Sequence, residues 1–217
     1  MDNRRKQKRT MVKYKLFKNV LNASTLDYLR KYTLKVKEMI EPMEGMPKEN
    51  GSGGYWKGID MASSIPIASN EDNQKLFELY TSQGMYQLVS PMIPDPYLFN
   101  DQIVVKKPGE NFKFDEHFDN QYGPYPDDKS LITMNFMLVL DDFNNENGAI
   151  EVYDNEWIKL YPSAGDILMI EGNTLHRSGP NNSNAVRRAY LCVYSNRSIG
   201  KDFQNGFYYQ PFSKYID

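Results

Sequence analysis

Phe114-Asp115-Glu116-His117-Phe118-Asp119, read with Thr174-Leu175-His176-Arg177-Ser178, is the pair of segments from which the rest of the chain is best understood. The chain has 2 histidines, and both stand in these segments. His117 precedes Asp119 by two positions. In an extended strand, residues i and i+2 point to the same side, which predicts His117 and Asp119 on one face and Phe118 on the other. A lone histidine is usually structural. Two histidines with a carboxylate at this offset form instead the donor set that holds a non-haem Fe(II) ion on one face and leaves the opposite face open. Glu116 lies between the two donors and is expected to face solvent.

Outward from these segments the pattern is that of a β protein. Gln102 to Lys107 is a β-branched run, and Asn111 to Asp119 is read as the strand carrying the first two donors. Leu131 to Leu140 is a long apolar run, the signature of a strand buried on both faces. Further strands are read over 150–153, 167–170 and 186–194, with turn residues between them. Short strands with frequent turn signals predict a sandwich or barrel. Helical spacing is confined to the front of the chain. Leu29, Tyr32, Val36, Met39 and Ile40 mark an amphipathic helix over 25–40 that starts after Asn22-Ala23-Ser24 and ends at Pro42. Leu76, Phe77, Tyr80, Leu88 and Val89 mark a second helical region over 73–89. The expected fold is mainly β with flanking α, the helices packed outside a jelly-roll core.

Composition excludes several classes. Hydrophobic residues make up 40% and aromatics 13% of 217 residues, enough to bury a core in a single domain. A formal net charge of -2 gives no overall attraction to nucleic acid or membrane. No apolar run approaches the ~20 residues of a membrane span. One cysteine, Cys192, leaves no internal disulfide, and no signal peptide is evident; both point to a reducing, cytoplasmic setting. Residues 1–15 form a basic arm containing Arg4, Arg5, Lys6, Lys8, Arg9, Lys13 and Lys15. Such an arm is read first as a flexible terminus and second as a contact for nucleic acid. Residues 16–217 are read as one domain, with a helical front part (16–99) and a jelly-roll core (100–200). Two loops, 41–64 with Trp56 and 121–129 with Tyr122 and Tyr125, are surface loops or covers for the site. The aromatic C-terminus, with Phe207, Tyr208, Tyr209, Phe212 and Tyr215, is read as packing or a partner-chain contact before a base-stacking platform.

An iron site that uses an acidic 2-oxo cosubstrate also needs a cation for the far carboxylate, and the guanidinium fork of arginine matches a carboxylate. Arg187 follows His176 by eleven positions, at the start of a strand. Arg187, Ala189, Leu191 and Val193 share one face of that strand, and Arg188, Tyr190 and Cys192 share the other. The small, aliphatic face reads as the inner one, which favours Arg187 over Arg188. Ser178 stands two positions beyond His176 and offers a hydroxyl to the same carboxylate.

Four segments, in this order, resemble the phytanoyl-CoA dioxygenase family of Fe(II)/2-oxoglutarate oxygenases. They are His117-Phe118-Asp119, Leu140-Asp141-Asp142 to Glu146-Asn147-Gly148-Ala149, Ala164-Gly165-Asp166-Ile167-Leu168-Met169, and His176-Arg177-Ser178-Gly179-Pro180-Asn181-Asn182-Ser183 running on to Arg187. The resemblance covers roughly residues 100–195. It implies a double-stranded β-helix, iron on His117, Asp119 and His176, and 2-oxoglutarate anchored by Arg187 with Ser178. It further implies oxidation of a C–H bond with O2, releasing succinate and CO2. Asp119 keeps the carboxylate ligand that halogenating relatives usually replace by a small residue, so hydroxylation is the expected outcome. Val152-Tyr153-Asp154-Asn155-Glu156-Trp157 and Met137 depart from the family pattern, so no relative's substrate is carried over.

The leading expectation is a small-molecule hydroxylase. The alternatives are a hydroxylase acting on nucleic acid or protein, and a non-catalytic cupin-like module that binds a metal or sugar. The last explains the three donors but not Arg187. Substrate identity and oligomeric state are not legible in the sequence.

Overall fold

The computed structural model describes residues 12–40, 60–62, 70–109, 111, 113–122 and 127–198. Elements follow in the order β1 (Tyr14–Phe17), α1 (Ala23–Ile40), β2 (Asp60–Ala62), α2 (Asn70–Tyr80), α3 (Gln83–Val89), β3 (Tyr97–Lys106), β4 (Phe114–His117), a short 3-10 helix (Asp119–Tyr122), β5 (Thr133–Val139), β6 (Ile150–Asp154), β7 (Glu156–Leu160), β8 (Ile167–Glu171), β9 (His176–Ser178) and β10 (Arg187–Ser195). The strands form two antiparallel sheets, ordered β1-β8-β5-β10-β3-β2 and β4-β9-β6-β7. This is the mainly β, jelly-roll arrangement expected from the sequence.

The apolar run around 131–140 supplies β5, the strand between β8 and β10, and all of its residues are buried. Its alternation divides the core in two. Met134, Phe136 and Leu138 join Ile103, Val105, Tyr190, Cys192 and Tyr194 on the face covered by the helices. Met137 and Val139 join Val104, Leu168, Ile170, Ala189 and Leu191 on the opposite face, packed with Ile150 and Val152 of the smaller sheet. The period of two along each strand therefore assigns every large-sheet residue either to the helix layer or to the space between the sheets.

α1 is capped by Asn22, whose Oδ1 accepts from Thr25 N at 2.9 Å, and it buries Leu29, Tyr32 and Val36 against the sheet. The helical region expected over 73–89 is two helices. Ser82 separates them by capping the second, its hydroxyl accepting from Met85 N at 3.2 Å. A serine hydroxyl competes for the backbone in this way, and pattern reading alone does not resolve it.

Of the basic arm expected over 1–15, only residues 12–15 are described. Residues 1–11 lie outside the described residues, but Tyr14 and Lys15 already belong to β1, paired with Ile170 and Met169. Lys13 contributes its carbonyl to Glu171 N at 2.9 Å and its ammonium to Asp154 at 2.7 Å. Tyr14–Phe17 thus cover the edge backbone of β8. Trp56, the loop 41–59 and the aromatic C-terminus lie outside the described residues.

Two family-like motifs are structural. Asp166 accepts from Lys18 Nζ at 2.7 Å, Asn19 N at 3.0 Å and Ser163 N at 2.9 Å, tying the β1–α1 connection to the turn before β8. Burial opposes ionisation of Asp166, but these hydrogen bonds outweigh it and hold the carboxyl below the usual range. Gly148 has φ +75°, and a Cβ there would lie 2.3 Å from Gly179 O and 2.9 Å from Pro180 O. The loop before β6 thus packs against the segment that follows β9.

Gly148→Ala is expected to cost more than the ~1–2 kcal/mol of the left-handed conformation alone, because Gly179 and Pro180 must also move. Gly109→Ala, at φ +71° with nothing within 4 Å, is the control that bears only the conformational part. Urea midpoints at unchanged slope measure the difference.

Candidate functional site

β4 and β9 are neighbours in the smaller sheet, and their register sets His117 directly across from His176. The imidazole centroids are 4.2 Å apart. His176 also pairs with Val152, and Ser178 with Ile150, both of them residues of the inter-sheet core. The inward face of β9 therefore carries His176 and Ser178, while Arg177 faces out. There its guanidinium stacks 3.9 Å from the Trp157 ring and binds Glu151.

Asp119 reaches the same point by a different route from the one its spacing suggested. β4 ends at His117, and Asp119 is the first residue of the 3-10 helix, so strand alternation does not place it. The turn is held from behind. Asn120 N donates to Gly172 O at 3.1 Å, and the Asn120 side chain bonds Asn173 at 3.0 Å and the Thr133 hydroxyl. Phe118 is thrown outward, 39% exposed, and Glu116 is exposed. Asp119 Oδ1 then lies 3.7 Å from His117 Nε2 and 3.5 Å from His176 Nε2.

The donor chemistry suits a divalent metal. His117 Nδ1 bonds the Asp115 carbonyl at 2.7 Å, and His176 Nδ1 bonds the Thr174 carbonyl at 2.9 Å. A carbonyl can only accept, so each Nδ1 carries the proton and each Nε2 presents a lone pair toward Asp119. Donor atoms of the three residues all lie within 4.8 Å of one another. Cis ligands at ordinary bond lengths lie about 3 Å apart, so only a small inward settling separates this arrangement from coordination. Burial first, and then the neighbouring His176, lower the His117 pKa from its usual 6.5, against smaller opposing contributions from the Asp115 carbonyl and Asp119. The neutral, metal-binding form is thereby favoured.

Asn135, on β5, donates to Asp119 Oδ2 at 3.2 Å and so leaves Oδ1 for the side of the imidazoles. Its own Oδ1 is buried with no hydrogen-bond partner among the described residues. Sequence reading passed over this residue, although a lone amide in the middle of an apolar run was the available signal.

The two arginines separate clearly. Arg188 lies on the helix-covered face, and Asp141 receives its Nε at 2.7 Å and its Nη2 at 2.8 Å. Arg187 is 1% exposed, on the same face as Ala189 and Leu191. Its guanidinium lies 4.2 Å from the centre of the Phe143 ring, and its Nε and Nη1 have no hydrogen-bond partner among the described residues. Burial pushes its pKa down to about 10, opposed by the charge of Asp141, so it stays protonated at neutral pH. Among the described residues two of its donors are unmet, and the planar fork of a guanidinium fits a carboxylate. Ser178 Oγ is held by Lys106 Nζ at 2.8 Å. Lys106 is fully buried, and it too was passed over, although it continues the alternation of Val104 at the end of β3. Tyr125 and the side chain of Tyr122, read as a gate, lie outside the described residues.

A family model for phytanoyl-CoA dioxygenase (PhyH) matches residues 151–189, the stretch that holds His176, Ser178 and Arg187. No curated protein matches the chain by sequence. Among solved structures, it is similar to the non-haem alpha-ketoglutarate-dependent carbocyclase SnoK from nogalamycin biosynthesis: 16% identity, 89% of this chain and 84% of that one, TM-score 0.67. It is similar also to the epimerase SnoN in complex with Fe3+, alpha ketoglutarate and nogalamycin RO: 17% identity, 94% and 85% covered, TM-score 0.64. EvdO2 from Micromonospora carbonacea var. aurantiaca, complexed with 2-oxoglutarate, matches at 14% identity, with 97% of each chain covered and a TM-score of 0.62. At these identities the likeness establishes the fold.

In metal-free protein, His117 is expected to protonate below 6.5, at a lower pH than in the unfolded chain. This group's contribution to stability is then complete above 6.5 and is lost as pH falls from there toward the folded value. Proton NMR titration of the imidazole Cε1 signals reads this directly; a His117 midpoint at or above 6.5 contradicts the geometry.

Proposed function

We propose that this phytanoyl-CoA dioxygenase-like chain is a Fe(II)- and 2-oxoglutarate-dependent oxygenase that hydroxylates an unactivated C–H bond of a small molecule. The observation that carries this reading is the pairing of two features in one space between the sheets. His117, Asp119 and His176 converge at one point, and the buried Arg187 faces the same interior with two donors unmet among the described residues.

His117, Asp119 and His176 would hold the iron, each through one atom. When bound, Fe(II) supplies the redox chemistry by which R–H, O2 and 2-oxoglutarate become R–OH, succinate and CO2. The residues around it bind and orient. Arg187 receives the far carboxylate of 2-oxoglutarate through its orphaned N–H groups, and Ser178 adds a hydroxyl donor. Asn135 fixes which Asp119 oxygen faces the imidazoles. The apolar side chains of Met137, Val139, Leu168, Ile170 and Leu191 exclude water from the same space. The retained Asp119 carboxylate supports hydroxylation over halogenation.

A small-molecule substrate is favoured over nucleic acid. Lys13 is paired with Asp154, and Lys15 lies 4.8 Å from the centre of the Phe17 ring, so these two cations of the basic segment are engaged by the protein itself. SnoK and SnoN are enzymes of nogalamycin biosynthesis, and the likeness to them supports a small-molecule substrate. Among the described residues no helix is long and apolar enough to cross a membrane.

Purified protein with Fe(II), O2 and 2-oxoglutarate is expected to release succinate, and to place 18O from 18O2 in the product when a substrate is found. No succinate across a broad metabolite panel sinks the reading. Arg187→Met is expected to raise the KM for 2-oxoglutarate about ten- to a hundredfold, the worth of a charged hydrogen-bond pair. Arg188→Met, whose guanidinium is engaged by Asp141, is expected to leave that KM within about twofold and to lower stability instead.

A further inference from the structure

Two of the three donor residues are braced by one stretch of chain. Glu171-Gly172-Asn173-Thr174 runs from the end of β8 toward β9, and it bonds the residue after Asp119 on one side and His176 itself on the other. On the Asp119 side, Asn120 N donates to Gly172 O at 3.1 Å, and Gly172 N donates to Thr133 O at 2.9 Å. Gly172 thus lies between the 3-10 turn and the first residue of β5. A side chain would block that approach: a Cβ at Gly172 would stand 1.9 Å from Thr133 Oγ1 and 2.6 Å from Asn120 Oδ1. On the His176 side, the Thr174 carbonyl accepts from His176 Nδ1 at 2.9 Å. Thr174 is itself held twice, its N–H donating to Glu171 O at 2.8 Å and its hydroxyl to the Lys13 carbonyl at 3.0 Å.

The side chains give these bonds a direction. A carboxylate only accepts, so the Asn173 amide presents its NH2 to Glu171 Oε1, at 3.1 Å. Asn173 Oδ1 is then the acceptor for Asn120 Nδ2 at 3.0 Å, which turns Asn120 Oδ1 toward the Thr133 hydroxyl as an acceptor. Asn173 is exposed, but Thr133 is 2% and Thr174 3% exposed, so water has little access to either threonine. A buried acceptor that loses its donor is left unsatisfied and its segment shifts to find another.

We propose that Thr133 and Thr174 are positioning residues for the metal donors, and that Glu171–Thr174 is a single brace that sets Asp119 and His176 relative to each other before a metal binds. Thr133 acts through Asn120 on the turn that carries Asp119. Thr174 acts through its own carbonyl on the tautomer and tilt of His176. The Lys13 carbonyl makes the segment before β1 part of the same brace. This rests on the metal-site part of the reading above and adds to it the two hydroxyls that hold the site in shape.

The test is the Zn(II) affinity of the full chain, measured by competition with a chromophoric chelator. Thr133→Val and Thr174→Val keep the branched shape and lose the hydroxyl, and each is expected to weaken Zn(II) at least about tenfold. Thr133→Ser and Thr174→Ser keep the hydroxyl and are expected to stay within about threefold of wild type. Because both act on one brace, the double valine variant is expected to lose less than the product of the single losses. Unchanged affinity in the valine variants overturns the proposal, and so does an equal loss in the serine variants. Losses that multiply in the double variant overturn the single brace. If a valine variant does not fold, alanine at the same position, which also lacks the hydroxyl, is read by the same criteria. Failure of the metal-site reading looks different: wild-type protein then binds no Zn(II), and this proposal falls with it.

Discussion

The constraint on which the site depends is the backbone pairing of β4 with β9. Three residues of β9 suffice to put one imidazole across from another, and the rest follows from that register. Strand alternation turns His176 and Ser178 inward together and turns Arg177 out to Trp157 and Glu151. A slip of one residue would send His176 to solvent and bring Arg177 into the core, so register and chemistry stand or fall together. Gly148 lets the loop before β6 approach the Gly179 and Pro180 carbonyls, and Asn181 ties that segment to Lys106.

The second theme is polarity placed where the fold is otherwise apolar. Asn135, Lys106 and Arg187 each stand on a large-sheet face whose other members are aliphatic. In a protein without a ligand to bind, apolar residues of similar volume would serve stability as well or better. Their positions are also ordered along the interior, with Asn135 against Asp119 and the two cations at the meeting of β3 and β10. Contrast this with the helix-facing side of the same sheet. There Asp101 is bonded by the hydroxyls of Tyr80 and Tyr190, and the polar groups serve to dock the helices.

Much of this was legible in the residues. The long apolar run predicted a doubly buried strand, and β5 is that strand. Alternation in the last strand put Arg187 and Arg188 on opposite faces, and in the structure Arg187 lies between the sheets with Ala189 and Leu191 while Arg188 is bound by Asp141 on the helix-covered side. Other readings missed for identifiable reasons. Asp119 sits on a 3-10 turn, not on the strand, because Asn120 finds partners at Gly172, Asn173 and Thr133, distant in sequence. Ser82 divides one apparent helix by capping the second. Lys13 to Lys15 looked like the end of a solvated tail, because nothing local announces that β8 has an edge to be covered.

By itself the sequence determined the donor types, their order, and the two-residue alternation that sorts inner from outer side chains. Those are local properties, fixed by covalent geometry and the pleat. Only the tertiary structure decided which inner residues meet. Lys106 and Arg187 are far apart along the chain, and so are Asn135 and Asp119 from His176. What joins them is strand order and register, set by burial of the whole apolar set at once, and no short stretch of sequence encodes that.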